Sequence, residues 1–164
     1  MRGNSRYLVP IDVADGSSPT EAPHGTYTLT SGHTYVYILP TKDTAFTSID
    51  LQGLDAALAF TSATVQDTNH PGSVNGGPTA GDLPDTDTAV GGWKNERPTT
   101  GYVAVDGTGW SVGTGATACV VASTGSGVGG ALWHIAETGA ARTRLIVVCT
   151  GTGKARVSGA GKGV

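Results

Sequence analysis

Apolar and polar positions alternate along much of this chain in short runs with a period of two, the repeat of half-buried strands. Tyr35-Val36-Tyr37-Ile38-Leu39 is apolar on both faces, which predicts a central strand. Thr26 to Leu29 precedes it across Thr30-Ser31-Gly32, a sequence suited to a tight hairpin turn. Ser48-Ile49-Asp50-Leu51 alternates, and the longer run from Ala56 to Gln66 puts Leu58, Phe60, Ser62 and Thr64 on one face with Ala57, Ala59, Ala63 and Val65 on the other. Alanine and leucine also leave a helical turn open over Leu51 to Phe60. Downstream, Gly101 to Asp106, Ala116 to Ala122, Ala131 to Ala136, Thr143 to Cys149 and Lys154 to Ser158 read as strands. Asp106-Gly107, Gly125-Ser126-Gly127, Thr138-Gly139 and Thr150-Gly151-Thr152-Gly153 punctuate them. About nine or ten short strands without crossover helices predict an all-β fold, an antiparallel β-sandwich.

Two stretches depart from this texture. Residues 1–25 surround one apolar run, Tyr7-Leu8-Val9-Pro10-Ile11, with loop chemistry, and read as an extended N-terminal arm before a single β-sandwich domain at 26–164. Residues 67–92 are rich in Gly, Pro and Asp, a loop longer than compact domains carry without a use. Both are candidate contact segments.

Composition narrows the function classes. The 164 residues suffice for one core without disulfides, and 26 glycines with only 14% charged residues favour turns and strands over helices. A net charge of -3 and a pI near 5.7 leave no cationic excess for a phosphate backbone, so no nucleic acid partner is expected. No apolar run reaches the length of a signal-peptide core or a membrane span, which predicts cytoplasmic synthesis and no membrane partner. Cys119 and Cys149 lack metal-ligand spacing and read as buried thiols, with a disulfide open if their strands are neighbours. Asp43, Asp50, Asp55, Asp67, Asp82, Asp85 and Asp87 form an acidic stretch, whereas Arg142, Arg144, Lys154, Arg156 and Lys162 make the carboxyl end basic. Such asymmetry can close within one fold or between neighbouring copies.

Motifs with chemistry fail on context. Gly109-Trp110-Ser111-Val112-Gly113 fits a nucleophile elbow, but that motif needs a strand-to-helix turn followed by an acid and then a histidine, and no Asp or Glu lies between Ser111 and His134. Gly153-Lys154 and Gly161-Lys162 lack the remainder of a P-loop. His24, His33, His70 and His134 have no ligand spacing. Asp82-Leu83-Pro84-Asp85-Thr86-Asp87-Thr88 offers hard oxygen ligands that a Ca²⁺ could use if backbone carbonyls converged, yet it lacks the glycine and distal glutamate of an EF-hand. The expectation is a protein that is not an enzyme, with no catalytic residues, cofactor or metal. Trp133 alternates with Ile135 and reads as core, while Trp93 and Trp110, in glycine-rich surroundings, suit an exposed or interfacial role.

From Tyr35-Val36-Tyr37-Ile38-Leu39-Pro40 onward the chain resembles small β-rich virion proteins of tailed bacteriophages. The likeness lies in Ser48-Ile49-Asp50-Leu51, Ala56 to Asn69 with His70-Pro71, Trp93-Lys94-Asn95-Glu96-Arg97-Pro98 with Tyr102-Val103, Gly129-Gly130-Ala131-Leu132-Trp133-His134-Ile135, and Ala141-Arg142-Thr143-Arg144-Leu145. The resemblance implies a jelly-roll-like sandwich acting as a capsid decoration or cement protein on the virion surface. Its partners would be the major capsid protein and neighbouring copies of itself, as a homo-oligomer on the particle. Contacts are then expected at Arg6, Tyr7, Leu8, Val9 and Ile11 of the arm, at Asp82, Asp85 and Asp87 of the loop, and at Trp93 and Trp110. The rival expectation is a tail-associated or carbohydrate-binding sandwich presenting tryptophan or tyrosine platforms.

Overall fold

Four long strands carry the architecture, and a computed structural model describes them within residues 3–39, 44–68, 94–95, 103–114, 118–124, 128–134 and 142–163. β5 (Thr44–Gly53) pairs with β13 (Gly153–Gly163) in one sheet, and β6 (Ala59–Thr68) pairs with β12 (Arg142–Gly151) in the other. Alternation of buried and solvent-facing residues drives the layering. Ile49, Leu51, Ala155 and Val157 point inward from the first sheet to meet Phe60, Val65, Leu145 and Val147 of the second in one apolar core.

Sheet A is completed by β1 (Gly3–Tyr7), β3 (Thr26–Leu29), β8 (Val103–Asp106) and β11 (Gly129–His134). Its order is β1-β13-β5-β11-β8, with β3 also on β13. Sheet B adds β2 (Pro10–Asp12), β4 (Thr34–Ile38), β9 (Trp110–Val112) and β10 (Val120–Ser123) in the order β2-β4-β12-β6-β10-β9, with β7 (Lys94–Asn95) on β6. Every strand pair is antiparallel. The chain is thus an all-β antiparallel sandwich, and Leu51 to Phe60 forms strand, turn and strand with no helix.

A sharp corner replaces the expected hairpin. Thr30-Ser31-Gly32 joins β3 to β4 across the two sheets, with Gly32 at a φ of 86° that favours glycine. Between β12 and β13 a single residue, Thr152, turns the chain from sheet B to sheet A. A Cβ on Gly151 would sit 2.4 Å from the Ala57 carbonyl oxygen, and one on Gly153 would sit 2.7 Å from Leu58 Cβ, so this corner is pressed against the β5–β6 corner.

One face assignment is also corrected. Ser62 pairs with Val148 and Phe60 with Cys149, so Thr61 is an extra residue, a bulge that inverts the parity of β6. Leu58 and Phe60 before it and Ala63 and Val65 after it all enter the same core, while Ser62 and Thr64 take the opposite face. Phe60 meets the Trp110 ring edge-on, with centroids 5.1 Å apart and planes at 83°.

Residues 1–25, expected as an arm, are extended but woven into both sheets over their described part. β1 pairs with β13, the Leu8 amide donates to the Val157 carbonyl at 2.9 Å, and β2 pairs with β4. Leu8 enters the core, and Val13 joins Val36 and Ile146 in a second small cluster outside sheet B. The segment therefore completes the sandwich.

Leu8→Ala should cost about 2–4 kcal/mol of stability, the range for deleting a buried leucine, read from urea unfolding. Gly151→Ala should cost about 1–3 kcal/mol in the same assay, because its methyl meets backbone that can yield only by moving the corner.

Candidate functional site

The two outer faces of the sandwich differ in openness. On sheet B the outward positions Val36, Thr64, Gln66, Arg144 and Ile146 are buried. On sheet A the outward positions of the central strands, Asp50, Gln52, Gly130, Leu132, Arg156 and Ser158, all remain partly open to solvent.

Strand register places the residues of this open face in rows. Thr26 of β3, Arg156 of β13, Gln52 of β5, Gly130 of β11 and Asp106 of β8 are successive cross-strand partners, forming one row across five strands. The next row runs Tyr7, Ser158, Asp50, Leu132 and Ala104. Each row contains a small residue where a large one would stand, and a depression opens at each gap. Arg6, Tyr7, Gln52, Arg156 and Ser158 line one of about 380 Å³. The other, about 350 Å³, has Gly53, Gly129 and Gly130 in its floor and Asp50 and Asp106 in its walls, with Leu54 and Val128 at its margin. Gln52 belongs to both. The face is cationic on the β13 side and anionic on the β8 side.

Arg156 is held without a counter-charge. Its Nη1 donates to Gln52 Oε1 at 3.2 Å and its Nη2 to Thr26 Oγ1 at 3.5 Å, both neutral acceptors, and its guanidinium lies 5.6 Å from the Tyr7 ring centroid. Its Nε is buried with no partner, and no ion pair to a carboxylate is found for it among the described residues. Asp50, one row away, has its carboxyl pushed above the usual value by burial alone, with no cation pulling it back.

A second polar cluster sits at the sheet B edge. His33 Nδ1 lies 2.6 Å from Asp12 Oδ2, and the other Asp12 oxygen accepts from the Ala14 amide at 3.0 Å. The His33 ring also stacks on Tyr35. Asp12 thereby ties the turn after β2 to the residue that leads into β4, and among the described residues no nucleophile bonds to the pair.

The residues named from sequence are dispersed. Arg6 and Tyr7 meet at the cationic depression, and Val9 is exposed beyond it. Leu8 is core and Ile11 half-buried. Trp110, expected at an exposed or interfacial position, is 7% exposed and packs on Phe60, while Trp133 is buried as expected and donates to the Cys119 carbonyl at 2.8 Å. Asp82, Asp85, Asp87 and Trp93 lie outside the described residues, as does the 82–88 loop considered for calcium. Ser111 stands on β9 beside strand β10, so its pentapeptide does not lead from a strand into a helix. Cys119 and Cys149 are buried thiols rather than a disulfide, and burial pushes the Cys149 thiol up. Among the described residues no group of three or more His, Cys, Asp or Glu side chains converges as a metal site, and no helix is long and apolar enough to cross a membrane. Sequence reasoning missed Gln52, Gly130, Asp106 and Ser158 as one surface, since only cross-strand register brings them together.

Comparison with protein-family models, curated proteins and solved structures finds no match for this chain. The functional reading therefore rests on the strand order and on the geometry of the face.

Asp50→Asn checks the electrostatics of the face. A carboxyl whose folded-state pKa is raised stabilises the fold fully only below its unfolded value, and that contribution is lost as pH rises through the raised value. The asparagine variant should be more stable than the parent at pH 7, by less than about 1 kcal/mol because the group is half exposed, and should therefore unfold at a slightly higher temperature. The difference should close below the ordinary carboxyl value of 3.8, as followed by thermal scans across pH.

Proposed function

We propose that this protein is a virion structural component of the capsid decoration type, which binds the outer surface of a shell and stabilises it through protein–protein contacts. Strand order carries the reading. Eight of the strands follow β3-β13-β5-β11 in sheet A and β4-β12-β6-β10 in sheet B. Most of the connections between these strands cross from sheet to sheet, which supports a jelly-roll winding, an architecture shared by viral capsid and lectin domains. A fold alone does not assign a role, so the surface supplies the second support. The open face of sheet A offers two shallow, charged depressions with Tyr7 beside one and Leu54 and Val128 beside the other, a mixture of charge and apolar surface suited to a protein contact.

In this reading the protein is made in the host cytoplasm and ends on the capsid surface, with the major capsid protein and its own copies as partners. It uses no cofactor and no catalytic residue, and engages neither nucleic acid nor membrane. Many copies per shell make weak single contacts sufficient. The carbohydrate-binding alternative rests on one observation: Tyr7, 52% exposed, stands beside Arg156 and Gln52 at the cationic depression.

The deciding experiment adds purified protein to shells of the particle that encodes it, prepared without it. Saturable co-sedimentation, symmetric density on the head by electron cryomicroscopy and a raised temperature of shell disruption are expected. Absence of binding to the head, together with density on the tail or glycan binding lost in Tyr7→Ala, would establish the alternative instead.

A further inference from the structure

We infer that the outer face of sheet A is self-complementary, and that a second copy of this chain docks on it about a two-fold axis. The inference goes beyond the shell reading and stands without it. In the row Thr26, Arg156, Gln52, Gly130, Asp106, a cation and a carboxylate flank an amide side chain that stands beside a position with no side chain. A two-fold axis parallel to the strands, running between β5 and β11, sets Arg156 of one copy opposite Asp106 of the other. The same rotation sets Gln52 over the space at Gly130, and both relations occur twice, as an isologous interface requires.

Independent features agree on this occupant. Arg156 lacks a counter-charge of its own among the described residues, and the opposing copy supplies one. Of the four exposed large apolar side chains among the described residues, Tyr7, Leu54 and Val128 border the two depressions of this face. Under this axis β13 and β5 of each copy oppose β8 and β11 of the other, so four columns about 4.8 Å apart overlap over the length of the shorter strand, about 14–20 Å. The overlap is on the order of 300–350 Å² in projection, below the roughly 800 Å² per partner of a standard interface, which suits a weak, concentration-dependent dimer. Twisted sheets in aligned sandwiches stack with their strands about 30° apart, which a small inclination of the axis from the strand direction, about 15°, provides. One element opposes it. Asp50 comes to lie over Leu132 of the second copy, where its carboxylate loses water without gaining a cation.

Sedimentation equilibrium from micromolar to submillimolar concentration tests the pairing. The parent protein should show a monomer–dimer equilibrium that weakens with salt, as expected where charge pairs contribute. Gly130→Val is the sharpest variant. Its Cβ would meet only the Leu51 carbonyl oxygen, at an ordinary 3.5 Å, and a β-branched residue suits an outward strand position, so the monomer should fold, checked by its unfolding temperature, while the filled depression abolishes the dimer. Arg156→Glu and Asp106→Arg should each be monomeric alone and form a heterodimer when mixed, since all crossed charges are then opposite. Asp50→Asn should tighten the dimer several-fold. If Arg156→Glu fails to fold, Gly130→Val and Asp106→Arg, which touch a position without a side chain and an exposed one, still decide the matter. A parent protein that stays monomeric throughout, or a Gly130→Val variant that dimerises like the parent, overturns the inference. A folded charge-swap pair that does not associate on mixing overturns it as well. Shell binding by a strictly monomeric chain would overturn this pairing and leave the decoration reading intact; a dimer that ignores shells would do the reverse.

Discussion

Three chain corners pressed together at one end of the sandwich hold both sheets in place. The β5–β6 corner at residues 54–58 meets the β12–β13 corner at 151–153 so closely that neither Gly151 nor Gly153 has room for a Cβ. Asp55 Oδ2 accepts from the Lys154 amide at 2.8 Å, and the Leu54 amide donates to the Lys154 carbonyl at 2.9 Å. The β3–β4 corner is laced on by Ser31, whose amide donates to Thr152 Oγ1 and whose hydroxyl donates to the Thr150 carbonyl. Each corner carries a strand of one sheet into the other. Their contact therefore sets the register of β13 on β5 and of β12 on β6 together, and the rows on the outer face of sheet A inherit that register.

That inheritance explains how a surface poor in charge acquires a pattern. Arg156, Gln52 and Asp106 come from strands remote in sequence, and a slip of one residue in β13 against β5 would turn Arg156 to the core side and break the row. Small residues matter as much as charged ones here, because Ser158 and Gly130 create relief by leaving room. The core tolerates some polar cost of its own. Tyr37 is fully buried with its hydroxyl unpartnered, and burial pushes that hydroxyl well above the usual tyrosine range.

The sandwich was legible in the sequence because its signals are local: alternation at Ile49 and Leu51, an apolar run at Tyr35 to Leu39, glycine pairs at the corners. Non-local features were not. Thr61 looks like any strand residue, and only two-against-one pairing with β12 reveals the bulge that puts Phe60 and Ala63 on one face. Trp110 sits among glycines, which reads as exposure, yet Gly107 and Gly129 are the residues that let its ring lie close against backbone. Likewise the polar punctuation of residues 1–25 suggested a segment outside the fold, whereas the short apolar run at Leu8 supplies a core side chain. Arg6 and Tyr7 could be named in advance as contact candidates; the row that gives them neighbours could not.

β1 and β3 share one edge of β13, end to end, with the Leu8 amide bonded to Val157 between them. Residues near position 5 thus find their partners near position 160, the widest sequence separation among the described strand pairs. During synthesis on a ribosome β1 must wait, unpaired, until β13 has emerged. Closure of sheet A accordingly follows the making of every other described strand, and a chain interrupted before β13 would present the unpaired edge of β5 to its neighbours.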